Sequence, residues 1–293
     1  MSLFDPLEAT QLPPDPGPPV GAQRVRFLVA YDGSGFHGFA AQPRHRTVGG
    51  VLAAAIERVV GHTVHLVCAG RTDTGVHAWG QVVHADLVAP RRGATIEAPP
   101  VWTPAALTRL QRSCLKLLGP EVVVRAVDLA PEGFHARFSA TARAYRYTVL
   151  NRPVPDPFTA RTSWHVSDPL DLRAMRLACD PLYGEQDFSS FCRRPPDDGS
   201  LVRRVEQAEW LDLGDGVLRF DIEASSFCHQ MVRSLVGTMV EVGRGRRAAG
   251  DMAWILRSRD RALAASPAPP NGLCLWRVDY PSGYTCDAVS RPA

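Results

Sequence analysis

The order in which strand-like and helix-like runs follow one another constrains this chain more than any other feature. Arg24 to Tyr31 is an apolar run closed by the turn chemistry of Asp32-Gly33-Ser34-Gly35. Thr47 is placed to cap a helix over 48–60, in which Val48, Leu52, Ile56, Val59 and Val60 form one apolar stripe. Thr63 to Cys68 reads as a buried strand, and a second strand runs from Gln81 to about Leu87. Thr103-Pro104 opens another helix, with Leu107, Leu110, Cys114 and Leu117 on its buried face, and Glu121 to Leu129 is again a strand. Strand–helix–strand taken twice is the pattern of a ferredoxin-like α+β unit. The second half repeats it. Strands are expected at Arg143 to Leu150, Arg203 to Leu213, Val217 to Ala224 and Leu273 to Tyr280, and helices at Leu170 to Leu182 and Phe227 to Val242. Two such β-α-β…β-α-β halves, over 23–132 and 133–282, predict a mixed, largely antiparallel sheet with a cleft between them. Residues 1–22 are proline-rich with almost no apolar periodicity and read as a disordered tail; 283–293 form a second tail.

A length of 293 residues suits two domains or two halves of one large domain. With 45% hydrophobic and 22% charged residues, the composition is that of an ordinary globular protein. No apolar run approaches the roughly 18–20 residues of a membrane span, and no basic segment leads into an apolar core at the N-terminus. A cytoplasmic protein without membrane contact is therefore expected. The net charge of +3 is too modest to mark a nucleic-acid binder. The kind of cation says more: Lys116 is the one lysine, and arginine forks onto phosphate and stacks on bases. The seven cysteines include no Cys-x-x-Cys pair, so reduced thiols are expected rather than a zinc site.

Four segments carry chemistry. Ala69-Gly70-Arg71-Thr72-Asp73-Thr74-Gly75-Val76-His77-Ala78 links two strands, with glycines where a positive φ or close backbone approach is wanted. Taken alone, its Arg71, Asp73 and His77 read as a capped turn with a surface ion pair. Phe134-His135-Ala136-Arg137-Phe138 leads into a strand whose Arg143, Tyr145 and Tyr147 share one face. Interleaved rings and guanidinium groups suit unpaired RNA, but an ordinary amphipathic strand has the same pattern. Gly184 to Phe191, followed by Arg193, reads on physics alone as a mobile surface segment. Arg233 falls at the edge of the apolar stripe of Met231, Val232, Leu235, Val236 and Met239. Burial there calls for a carboxylate partner, for which Asp73 is a candidate, unless the side chain snorkels to solvent.

Together these segments resemble the tRNA pseudouridine synthase A family over about residues 24–282. The loop is similar to that family's Gly-Arg-Thr-Asp-x-Gly-Val-His, which implies that Asp73 is the nucleophile. Met231-Val232-Arg233 is similar to the motif whose arginine pairs with that aspartate, and Tyr145 matches the active-site tyrosine. The resemblance implies substrate contacts at Tyr145, Arg71, Arg91, Phe134, His135, Ala136, Arg137, Phe138, Arg143, Ser190 and Arg193. Phe39 stands where the family has tryptophan, and both it and Phe36 also read as core. Leu117-Leu118-Gly119-Pro120 departs from the family's Asn and Leu-Pro, with no consequence for catalysis. The implied substrate is tRNA, at uridines of the anticodon stem-loop around positions 38 to 40, and the implied assembly is a homodimer. The implied reaction needs no cofactor: no redox change occurs and no atom enters or leaves. No phosphate-binding Gly-x-x-x-x-Gly-Lys or metal-ligand spacing is present either. Three rivals differ in class. A non-catalytic tRNA binder would lack the aspartate, and a metal-dependent nuclease would cluster carboxylates near Asp73. A related synthase acting on other RNAs is the hardest to separate by motif.

Overall fold

The computed structural model describes residues 17–89, 101–193 and 199–284. Its first half comprises β1 (Ala22–Tyr31), α1 (Val48–Val60), β2 (Val67–Cys68), β3 (His77–Val88), α2 (Pro104–Leu118) and β4 (Val122–Leu129). These strands lie in the order β4-β1-β3-β2, all antiparallel, which is the ferredoxin-like arrangement. The second half contains β5 (Ala142–Asn151), β6 (Trp164–Val166), α3 (Leu172–Leu177), β7 (Gly184–Asp187), β8 (Val202–Asp212), β9 (Val217–Ala224), α4 (Met231–Gly243), α5 (Asp251–Ser258) and β10 (Leu273–Asp279). Its order β10-β5-β9-β8 repeats the first half's, with β7 added beyond β8 and β6 laid along β5. A parallel pairing of β10 with β3, through Cys274 with His77 and Leu275 with Ala78, joins both halves into one ten-stranded sheet. The class is thus α+β with a mixed, mostly antiparallel sheet.

The local chemistry follows the sequence closely. Thr47 caps α1 through Gly50 N–H at 3.2 Å, and Gly61 ends that helix at φ 82°. Thr103 caps α2, and Pro104 occupies its first turn. Along β5 and β9 buried and half-buried residues alternate, so Arg143, Tyr145 and Tyr147 share the core-facing side. Phe36 and Phe39 are both buried in the core.

The strand expected at Thr63 to Cys68 shrinks to Val67–Cys68. One edge of β3 is shared end to end: β2 pairs with Val83 and His84, and β10 takes the end at His77 and Ala78. The chain therefore peels away at Ala69, and the Ala69–Val76 loop sits at the seam between halves. The helix expected over Leu170 to Leu182 stops at Leu177. Pro181 has no N–H to offer the Leu177 carbonyl, and a 3-10 turn over Asp180–Leu182 follows. The helix expected from Phe227 starts at Met231, because Gln230 takes a left-handed φ of 66°. Gly184 to Phe191 is not a mobile surface segment: β7 pairs with β8, and Phe188, Ser190 and Phe191 are buried. Helix α5 and strand β6 lie where no element was expected.

Candidate active site

The seam loop is held from below. Tyr31 Oη lies 2.8 Å from Thr72 Oγ1, and Gln81, fully buried, donates to the Gly70 carbonyl at 2.7 Å. The Thr72 carbonyl accepts from Phe39 N–H at 3.1 Å. Gly38 is needed beside it: at φ 83°, a Cβ there would lie 2.7 Å from the Thr72 oxygen. His77 is a strut. Its Nδ1 accepts from Gly33 N–H at 3.0 Å, and its Nε2 faces the carbonyls of Arg161 at 2.9 Å and Asn271 at 3.2 Å. The Nε2–H tautomer fits those partners, and Nδ1 also lies 3.3 Å from Asp32 Oδ1.

This frame leaves Asp73 at the seam with 30% of its side chain exposed. From α4, Arg233 brings Nη1 to 3.6 Å from Asp73 Oδ2. Arg233 is 16% exposed and does not snorkel; its Nε donates to the Ala268 carbonyl at 2.7 Å, and Ala268 N–H returns to the Arg233 carbonyl at 2.8 Å. Tyr145 rises from β5 beside them, buried, with Phe227 edge-on at 5.0 Å between ring centroids. A Cβ on Gly70 would lie 3.9 Å from Tyr145 Oη, so the hydroxyl meets the start of the loop. Burial raises the Tyr145 pKa well above its ordinary value, and the Asp73 charge raises it further. The phenol is therefore neutral at physiological pH, suited to stacking or donating rather than to acting as a base. Cys68, below the loop, is pushed up to about 11 by burial and stays a thiol.

The other expected contacts divide sharply. Arg71, Arg137, Phe138 and Arg193 are exposed. The His135 ring stacks on Phe138 at 4.3 Å, and Arg137 lies over that same ring at 5.5 Å. This exposed stack of imidazole, phenyl and guanidinium is a suitable platform for a base or phosphate. Phe134, Ala136 and Ser190 are fully buried and offer a ligand no surface. The Phe134 carbonyl accepts from Arg24, Ala136 N–H donates to His84, and Ser190 Oγ donates to the Ile255 carbonyl. Arg143 is buried as well. Its guanidinium donates to the carbonyls of Ala69, Arg137, Ala140 and Ser225, leaving no free fork for phosphate. These four residues hold the surrounding structure together. Arg91 lies outside the described residues.

One residue at the carboxylate was not anticipated. His229 Nε2 lies 3.3 Å from Asp73 Oδ1, and 46% of the imidazole is exposed. Helical spacing from Arg233 could not have found it, because α4 begins only at Met231. Among the described residues no group of three or more His, Cys, Asp or Glu side chains is placed to hold a metal ion. Among those residues, too, no helix is long and apolar enough to cross a membrane.

Comparison with known proteins gives a consistent answer. The family described as tRNA pseudouridine synthase matches residues 27–115 and 178–281. The tRNA pseudouridine synthase A of Listeria monocytogenes serotype 4b (strain CLIP80459) is 36% identical over 259 residues, covering 88% of this chain and 99% of that one. The proteins of the same name from Brevibacillus brevis and Moorella thermoacetica are 39% and 41% identical, over 88% and 87% of this chain. They are covered to 100% and 99% of their own lengths.

Proposed function

The chain belongs to the tRNA pseudouridine synthase family, and on that premise we propose that it isomerises uridine to pseudouridine in tRNA with Asp73 as its nucleophile. The observation that carries this reading is the pairing of Asp73 with Arg233 across the seam between halves, beside the buried Tyr145. In the reaction the N1–C1′ bond breaks, the base turns, and C5 bonds to C1′. A proton leaves C5 and one arrives at N1, so no electrons are exchanged with a second reactant.

The arrangement supplies what those steps need. Asp73 presents a carboxylate to the sugar or base from a rigid loop, and Arg233 orients it. Tyr145, neutral and fixed by Phe227, offers a face for an extruded base. Arg71, Arg137 and Arg193 stand around the opening as phosphate contacts, and Phe138 with His135 as a stacking surface. The target we assign is the anticodon stem-loop around positions 38 to 40, and the working form a cytoplasmic homodimer; both readings rest on the family resemblance.

The test is tritium release from [5-³H]uridine-labelled tRNA by the wild type, Asp73→Ala and Asp73→Asn. C5 loses its hydrogen only on becoming the glycosidic carbon, so release reports this reaction directly. Release by the wild type and none by either variant is expected, with tRNA binding kept within about tenfold, since one side chain among many contacts is changed. Turnover by either variant would remove Asp73 as nucleophile.

A further inference from the structure

Asp73 has a nitrogen-bearing side chain within 4 Å of each carboxylate oxygen, and only one of the two belongs to the motif that the sequence makes obvious. We propose that His229 is a positioning residue for the reaction, its Nε2–H holding Asp73 Oδ1 while Arg233 holds Oδ2. The inference rests on the reading of Asp73 as nucleophile.

Three observations carry it. The first is chemical. An ionised carboxylate only accepts hydrogen bonds, so of the two imidazole tautomers only the one with Nε2–H can donate across the 3.3 Å approach to Oδ1. The second is geometric. The terminal torsion of an aspartate is broad, so a single contact leaves the carboxylate plane free to turn. Arg233, 3.6 Å from Oδ2, is such a single contact; His229 on the opposite oxygen removes that freedom. The third is the way His229 is held. Its carbonyl accepts from Arg193 N–H at 3.0 Å, which ties it to the segment leaving the 3-10 turn at Ser189–Phe191. The next residue, Gln230, sits at φ 66° and ψ 2°, a conformation that side-chain-bearing residues adopt at a cost. Without that kink the helix would run through His229 and carry its side chain elsewhere. A strained backbone that aims an exposed imidazole at the one carboxylate of the loop is hard to account for by packing. A ring nearly half exposed contributes little to the core.

The test uses the full chain as wild type, Asp73→Ala, His229→Leu and His229→Gln, with tritium release and tRNA binding measured on each. Leucine fills similar space without an N–H, whereas the glutamine amide carries an N–H at the same reach as Nε2. If Nε2–H donates to Asp73 during the reaction, removing that donor should lower kcat of His229→Leu by roughly 10- to 100-fold, with KM and tRNA affinity within about threefold. His229→Gln should recover kcat to within about fivefold of the wild type, because the donor is restored. Wild-type kcat in His229→Leu would overturn the proposal, as would a glutamine variant no better than the leucine one. If the wild type itself releases no tritium, the assignment of the reaction fails, and the role of His229 falls with it. Release by the wild type but not by Asp73→Ala, with both histidine variants normal, removes His229 alone.

Discussion

At the scale of single residues, type and position do not settle role; the partners of the side chain do. Arg137 and Arg143 lie six residues apart in a segment that reads as RNA-facing, yet one is exposed and the other donates to four carbonyls. Arg143→Met would leave those carbonyls without their donor, including that of Ala69 at the start of the Asp73 loop. Since buried polar groups left unpaired cost about 1–3 kcal/mol, we expect a loss of about 3 kcal/mol in urea unfolding. Any variant that remains folded should keep the wild-type salt dependence of tRNA binding. Arg137→Ala should do the reverse: stability within about 0.5 kcal/mol, but a salt slope reduced by about one phosphate's worth. A reduced slope in Arg143→Met would return that residue to the substrate surface. The distinction was partly legible in the sequence. Strand alternation puts Arg143 on the same face as Tyr145 and Tyr147, and a face with two tyrosines is a buried one. The meeting of Asp73, Arg233 and Tyr145 was legible because each stands in a distinctive run. The approach of His229 was not, because the loop it meets lies more than 150 positions earlier in the chain.

At the scale of elements, the periodicities predicted most strands and helices to within a few residues, and the exceptions have physical causes. A strand is shortened where another takes its edge, as β2 is by β10. A helix start is moved where tertiary contacts claim its first carbonyls, as at α4. Apolar spacing extends the α4 pattern back to Phe227, but Arg193 takes the His229 carbonyl and Gln230 turns left-handed. No pattern of apolar residues reports such a turn. It makes a stability prediction, because the left-handed region costs residues with a Cβ about 1–2 kcal/mol and β-branched ones most. Gln230→Gly should be as stable as the wild type or more so. Gln230→Val should unfold at lower urea, by about 1–2 kcal/mol relative to the glycine variant. Equal midpoints for the two would mean that the turn relaxes into a longer helix. Tritium release on the valine variant would then reveal whether His229 still reaches Asp73.

At the scale of the molecule, the site depends on a narrow join. Two residue pairs between β3 and β10 make two ferredoxin-like units into one sheet. Trp79 and Trp276 stack across that seam with centroids 5.9 Å apart, and Arg125 and Arg146 lie over the respective rings at 4.1 and 3.8 Å. Next to Trp79 in β3 is Gly80, where a Cβ would stand 2.3 Å from the Trp276 oxygen and 3.1 Å from the Arg277 Cα. Both neighbours are backbone, so no side chain can swing aside; β10 itself has to move. Overpacking of this kind costs about 1–3 kcal/mol, and Gly80→Ala should lower the thermal midpoint accordingly. The larger effect should be on turnover. Leu275 in β10 pairs with Ala78 on one side and Tyr145 on the other, and the residues just before β10 accept from Arg233 and Tyr147. A displaced β10 therefore shifts Tyr145 and Arg233 relative to Asp73, and misplacement of about 1 Å at such a site costs on the order of 10²-fold. The exposed Arg71, Arg137 and Arg193 are not carried by β10, so tRNA affinity should fall far less than kcat. A loss of binding as large as the loss of turnover would mean that the seam organises the whole RNA surface. Turnover at the wild-type level would mean that the two halves adjust without passing the strain to the Asp73 loop.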